Sequence, residues 1–275
     1  MNAEITILVE NTAPVPGMCG EYGFGILVKV DGKGILFDTG LNDSVVRNAN
    51  FLGIKPSDID AIVISHGHFD HTGGLINALK FLGPRDIFLH PEALKPKFAG
   101  RGPNRWAIGV PGLNEIEAIG GKWVFNTGPV TIFPGVMLSG PVPRENSIED
   151  TGGVFTTDGT DGEIDDLLTD DQALIVDHPE GLVIVSGCAH AGMINTIEYA
   201  TKITGRSKIK AWIGGTHLIT ATPERLEMTI DKLQSYDIDT IVVSHCTGFK
   251  AAATLYSRLG EKVIKGDGGY RFNLA

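Results

Sequence analysis

The sequence predicts an α/β domain in which two β-rich layers are covered by helices. Three observations carry this. The chain opens on short β-branched runs with a hairpin signal between two of them. Each half then alternates apolar runs of strand length with stretches of helical spacing. Polar motifs, several of them bearing histidine, follow directly on the apolar runs.

In chain order, "EITILVE", "FGILVKV" and "GILFDTG" read as strands, and "DGKG" joins the last two as a hairpin turn. Residues 42–52 have helical spacing, and "DIDAIVIS" is a buried strand that runs into a histidine cluster. "GGLINALKFL" reads as a helix and "DIFLH" as the next strand. "AGRGPNRWAIGVPG" is rich in Gly and Pro and reads as a loop. Residues 140–171 hold many Gly, Asp, Glu and Thr and few large apolar residues, the signature of a polar surface insertion. Regularity returns with "QALIVDH" and "GLVIVSG", two strands joined by "PEG". Met193, Ile194, Ile197 and Ala200 in "AGMINTIEYATKI" repeat at helical spacing. "IKAWIGG" and "IDTIVVSH" are strands, "GFKAAATLYSRLG" a helix and "KVIKG" a final strand. "TPERLEMTIDKLQSY" is a helix that starts on Thr222 before Pro223, an N-cap and first-turn pair.

The chain has 275 residues, of which 42% are hydrophobic, enough for a sizeable core. No short repeat or linker composition divides it, so a single domain over residues 1–275 is expected, with the insertion at about 140–171. The formal net charge of −10 argues against a broad surface for nucleic acid or anionic membrane. It leaves room for an anionic small-molecule substrate, because a bound metal reverses the local field. The cysteines, Cys19, Cys188 and Cys246, make no disulfide framework, and each reads as a small buried apolar residue. Without a signal-peptide pattern or a bilayer-length apolar run, a cytoplasmic protein is expected, and a homo-oligomer is allowed.

The chemistry concentrates in "AIVISHGHFDHTGG", residues 61–74, which holds three of the eight histidines in the chain. His66 and His68 alternate along the chain and offer two nitrogens to one borderline ion; Asp70 and His71 suit a second. So tight a turn does not satisfy one ion with all four side chains, so the spacing suggests two ions, or one with an optional second. A purely structural zinc site would favour cysteine ligands. Further ligands are expected where other strands end: His190 in "VIVSGCAHAG", His245 in "TIVVSHCTG" and His217 in "WIGGTHL". His90 in "FLHPE" also follows a strand, with a loop or capping role expected.

"SHGHFDH" matches the signature of the metallo-β-lactamase superfamily, and "LFDTG", "GCAHAG" and "VSHCTG" match its other motifs, so nearly the whole chain resembles it. The resemblance implies a four-layer αββα sandwich with the metals at one edge. It implies that His66, His68 and His190 ligate a first ion and Asp70, His71 and His245 a second, with Asp38 buttressing the histidines. Zinc is the first expectation for one or two divalent ions, with manganese or iron as alternatives. The superfamily usually places a bridging Asp at the strand end where this chain has "IGGTHLITA", which holds none. His217 is the ligand-type residue nearest that place. More narrowly, "GFGILVKVDGKGILFDTG", "SGCAHAGMINTIEYA", "IGGTHL", "PVPRENSIED" and "DDQALIV" resemble the branch described as 7,8-dihydropterin-6-methyl-4-(β-D-ribofuranosyl)-aminobenzene-5′-phosphate synthase-like. That branch is linked to methanopterin biosynthesis, where a pterin diphosphate condenses with an aminobenzene ribosyl phosphate.

The resemblance implies a metal-dependent enzyme, either such a synthase with a metal-clamped diphosphate or a hydrolase with a metal-activated water. The hydrolase alternative would take a small ester, lactone or phosphoester. A non-catalytic, metal-dependent ligand-binding protein is the alternative from another class. A flavo-diiron protein would place Glu at His68 and carry a flavin domain; a nuclease of the superfamily would carry a further domain and a basic stripe. Asp70 is expected to orient the nucleophile and His217 to donate a proton to a leaving group or to replace the missing bridge. Arg144 in "PVPRENS" suits a phosphate or carboxylate, and Glu21 and Tyr22 in "CGEYGFG" suit a pocket mouth. The helix after "AHAG" offers its N-terminal N–H groups to an anion.

Overall fold

The "DGKG" turn fixes the first sheet. Asp31 and Gly32 both take positive φ, +48° and +84°, the twist that a two-residue hairpin requires. Gly25–Val30 and Lys33–Phe37 then pair antiparallel, with Val30 opposite Lys33. The computed structural model describes residues 1–275, which form two compact units. One comprises Met1–Phe98, Ala107–Thr127 and Asp267–Ala275; the other comprises Ala99–Trp106 and Gly128–Gly266.

The first unit holds a seven-stranded sheet in the order Arg271–Leu274, Ala3–Val9, Gly25–Val30, Lys33–Phe37, Ala61–Val63, Arg85–Leu89, Gly121–Phe125. The first three pairings are antiparallel and the last three parallel. Parallel neighbours need crossover connections, and the helices Ser44–Phe51, Leu75–Leu82 and Leu113–Ala118 lie in them. Their apolar stripes (Val45, Ala49, Leu75, Ala78, Leu79, Leu82 and Ile116) pack on Leu36, Ile62, Ile64, Ile87 and Leu89 of the sheet.

The second unit repeats this scheme. Its seven strands run in the order Val130–Phe133, Val136–Leu138, Ala173–His178, Gly181–Ser186, Ile209–Gly214, Ile238–Val243, Val263–Lys265. Again three antiparallel pairings precede three parallel ones. The helices Met193–Thr204, Pro223–Ser235 and Phe249–Leu259 cross over between the parallel strands and pack around Trp212, Ile184 and Ile241. The α/β class with helix-flanked sheets is therefore as the alternation predicts. Every residue of Ala61–Val63 and Gly181–Ser186 is buried, which explains why these strands read as continuous apolar runs rather than alternating ones.

Several elements differ from the sequence reading. Leu113–Ala118 is a helix, and Gly121–Phe125, Val130–Phe133 and Val136–Leu138 are strands, where no regular structure is predicted. They are short and interrupted by Gly, Pro and Asn, which hides their period. "KVIKG" is followed by one more strand, Arg271–Leu274, paired with the chain's first strand. Within residues 140–171, Phe155–Gly159 and Gly162–Asp165 form a hairpin, and Glu149, Leu168, Asp170 and Asp171 are buried. This segment thus places polar groups in the interior, although its composition suggests surface. No helix is long and apolar enough to cross a membrane.

The cap read at Thr222 is present: its side chain accepts from the Arg225 N–H at 3.2 Å, with Pro223 in the first turn. Thr222→Ala removes that acceptor and is expected to cost about 1 kcal/mol, read as a lower urea midpoint with an unchanged m-value.

Candidate metal centre

Asp38 and four candidate ligands lie just past the C-terminal ends of strands. Asp38 follows Lys33–Phe37, His66 follows Ala61–Val63, His190 follows Gly181–Ser186, His217 follows Ile209–Gly214 and His245 follows Ile238–Val243. Six non-glycine residues take positive φ, and four of them are Asp38 (+58°), Ala189 (+55°), His217 (+47°) and His245 (+51°). Such conformations are costly and gather where function over-determines the backbone.

In the first unit, parallel pairing of Phe37 with Val63 and the bond from Asp38 N–H to Val63 O at 2.8 Å bring Asp38 to the foot of the histidine turn. Asp38 Oδ1 accepts from the Ser65 N–H, and Oδ2 accepts from the Ser65 hydroxyl, both at 2.7 Å. Oδ2 also meets His71 Nδ1 at 2.7 Å. The Ser65 hydroxyl proton is committed to Asp38, so its oxygen accepts from His66 Nδ1, 2.9 Å away. Both imidazoles are thereby held with Nδ1 protonated and Nε2 as the lone-pair nitrogen.

Those lone pairs have neighbours of the right kind. His66 Nε2 stands 3.1 Å from His68 Nδ1, and His71 Nε2 stands 3.7 Å from Asp70 Oδ2. Two donors about 2.0–2.1 Å from one tetrahedral ion sit roughly 3.3 Å apart, so both spacings fit a shared divalent ion. His66, His68, Asp70 and His71 are all buried. Gly67 makes the turn possible: a Cβ there would lie 2.0 Å from Ala93 O.

In the second unit, the ligand atoms of Cys188, His190 and His217 lie within 4.8 Å of one another, as do those of Cys188, His245 and Cys246. His190 Nδ1 donates to Thr151 O at 2.8 Å, which again leaves Nε2 as the lone-pair nitrogen. The polar segment supplies the rest of the support. Arg144 Nη2 donates to His190 O at 2.8 Å, Asp171 Oδ2 accepts from the Ala191 N–H at 2.7 Å, and Phe155 stands edge-on to both His190 and His217. Burial lifts the Asp171 carboxyl to about 7. Gly152, at φ +79°, leaves room for His217: a Cβ there would lie 1.9 Å from His217 Nδ1. That Nδ1 is buried and makes no hydrogen bond. Burial holds His217 below the ordinary imidazole range, which disfavours the proton-donor role expected of it and favours a neutral ligand or acceptor.

Other expected site residues have tasks of their own. Glu21 Oε1 accepts from the N–H groups of Leu41 and Asn42 at 2.9 Å, and Oε2 from Ser44 Oγ at 3.0 Å, at the start of the helix Ser44–Phe51. Tyr22 is exposed beside Phe69. His90 caps a short turn by accepting from the Glu92 N–H. The N-terminus of the helix Met193–Thr204 is not open to an anion, because Glu149 accepts from the Ile194 and Asn195 N–H groups at 2.9 and 2.8 Å. The cysteines also differ from the sequence reading: Cys188 and Cys246 are buried but stand among imidazoles, not in a purely apolar core. Ser65, Thr151, Glu149 and Asp171 are positioning residues that sequence reasoning missed; adjacency of Ser65 to His66 was the one available signal.

The family model for the metallo-beta-lactamase superfamily matches residues 20–245. The chain is 36% identical over 246 residues to the 7,8-dihydropterin-6-methyl-4-(beta-D-ribofuranosyl)-aminobenzene-5′-phosphate synthase of Methanocaldococcus jannaschii, spanning 84% of this chain and 82% of that protein. It is 34% identical to the uncharacterized protein MJ0448 of the same organism, spanning 91% and 93%. Among solved structures, Tm1679, described as a metal-dependent hydrolase of the beta-lactamase superfamily, matches with a TM-score of 0.86 at 29% identity over 99% of both chains. Zn²⁺-bound PqqB from Methylobacterium extorquens shares the fold, with a TM-score of 0.61 at 13% identity over 98% of this chain and 100% of that one.

Asp38→Ala strips the proton acceptor from His71 and Ser65, and zinc affinity is expected to fall by about 10–100-fold, measured by competition with a chromophoric chelator. Gly152→Ala drives a methyl group into His217 at a left-handed position and is expected to cost at least about 1 kcal/mol, measured by urea denaturation.

Proposed function

The chain belongs to the metallo-β-lactamase superfamily, and from that premise we propose that it is a metal-dependent enzyme acting on a small anionic substrate. Following the family pattern, we assign His66, His68 and His190 to one divalent ion and Asp70, His71 and His245 to a second, with zinc as the first candidate. The reading is supported most by the Asp38 network, in which one buried carboxylate holds His71 directly and His66 through Ser65 in the ligand tautomer. When bound, such an ion polarises a phosphoryl or carbonyl oxygen and lowers the pKa of a coordinated water.

The chain's own residues do the remaining work. Asp38 keeps the His66 and His71 protons on Nδ1 and fixes both ring planes. Thr151 does the same for His190 through its carbonyl. Arg144 spends one N–H on His190 O; a guanidinium has five, so donors remain for a substrate phosphate or carboxylate. His217, kept neutral by burial, accepts a hydrogen bond. Asp70, whose carboxylate adjoins His71 Nε2, orients the incoming nucleophile.

The first reading of the reaction is a transfer in which an arylamine displaces diphosphate from a pterin methyl group. The 36% identity to the synthase over most of both chains supports it. Hydrolysis of a phosphoester, ester or lactone is the second reading, supported by the likeness to Tm1679. The test incubates zinc-loaded protein with a hydroxymethyl-dihydropterin diphosphate, with and without an aminobenzene ribosyl phosphate, and follows diphosphate release. Release that requires the arylamine is the expected result, and release without it indicates hydrolysis. Saturable binding with no product from this or a panel of phosphoesters and lactones would replace the enzyme reading with a ligand-binding one. His68→Ala is expected to lose both bound metal and turnover; retained activity in metal-free protein would refute the proposal.

A further inference from the structure

The two donor groups of the second unit share one residue. Cys188 belongs to the group with His190 and His217 and also to the group with His245 and Cys246. Its Sγ therefore lies within 4.8 Å of a ligand atom on each of four other donors, three imidazoles and a thiol. No disulfide joins Cys188 to Cys246. We infer that Cys188 is a metal ligand, and that its sulfur supplies the anionic donor for which the "IGGTHL" strand end has no carboxylate. The inference rests on the reading of the protein as a metalloenzyme and names a ligand that the family pattern does not.

Two further observations separate Cys188 from a cysteine that merely fills space. Cys188 and His190 flank Ala189, held at φ +55°, a strained conformation for alanine that shapes the segment carrying both donors. His217, a member of the same group, carries a buried Nδ1 that makes no hydrogen bond. Cys246 is tied to the backbone: its Sγ accepts from the His217 N–H at 3.3 Å and donates to Cys188 O at 3.5 Å. Those bonds make Cys246 a positioning residue that ties the strand ends of His217 and Cys188 together. A thiolate beside neutral imidazoles is a soft, singly anionic donor set. It selects zinc or ferrous iron over magnesium, calcium or manganese, which prefer all-oxygen ligands.

Zinc K-edge absorption fine structure of the full-length protein loaded with Zn²⁺ tests this without any activity measurement. The wild type is expected to show a sulfur shell at about 2.3 Å beside nitrogen and oxygen at about 2.0–2.1 Å. Cys188→Ala is expected to lose the sulfur shell and to bind zinc about tenfold or more weakly, whereas Cys246→Ala keeps the shell. A wild-type spectrum with nitrogen and oxygen alone overturns the assignment and leaves the metalloenzyme reading standing. Loss of the shell in Cys246→Ala, or its survival in Cys188→Ala, also overturns it. A protein that takes up none of zinc, iron and manganese overturns both readings. The wild type and Cys246→Ala together decide the matter should Cys188→Ala fail to fold.

Discussion

Asp38 is fully buried, and its carboxylate has no access to water. A carboxylate in that position must find donors inside the protein or be neutralised. It finds three, the Ser65 N–H, the Ser65 hydroxyl and His71 Nδ1, each at 2.7 Å. Much of the first unit follows from this need. The strand Ala61–Val63 has to run parallel beside Lys33–Phe37 for Ser65 to reach Asp38. The Thr39 N–H then bonds His71 O at 2.8 Å, which closes the turn of residues 66–71 against the strand end. Removing any donor leaves the charge short of partners, so the network forms as a whole. Ring orientation and tautomer are consequences of satisfying one buried charge.

The second unit reaches a similar end by different means. His190 is oriented by a main-chain carbonyl, Thr151 O, and its own carbonyl is held by Arg144. Both residues come from the polar segment before the strand Ala173–His178. The same segment sends Glu149 to the start of the helix Met193–Thr204, where its carboxylate meets the helix dipole and satisfies two N–H groups. Its composition suggests a surface excursion, yet its polar residues serve as the internal scaffold for one histidine. Gly152 belongs to the same economy of space, since the His217 ring occupies the volume a side chain would need.

The pieces visible in the sequence are those whose signal is local. "HGHFDH" places its donors within six residues, and the strand before it is a continuous apolar run because parallel strands are buried on both faces. Asp38 could be seen through its family motif, and Thr222 through its place before Pro223. The hidden pieces depend on contacts far apart in the chain. Arg144 and Glu149 find their partners more than forty residues away, and composition carries no trace of such pairing. Cys188 was hidden for a different reason. A single cysteine after an apolar run has the profile of a small core residue, and only the fold brings His190, His217 and His245 close to it.

The strained residues show why this arrangement needs a large β framework. Asp38, Ala189, His217 and His245 sit in the left-handed region, each at a cost of about 1–3 kcal/mol. A small domain stable by only about 5–15 kcal/mol would lose much of its margin to four such residues. Here each follows a buried strand of a seven-stranded sheet, so the core that fixes the strand ends also offsets the strain. The hydrogen bonds that aim His66, His71 and His190 are likewise internal to the protein, so folding free energy orients these rings.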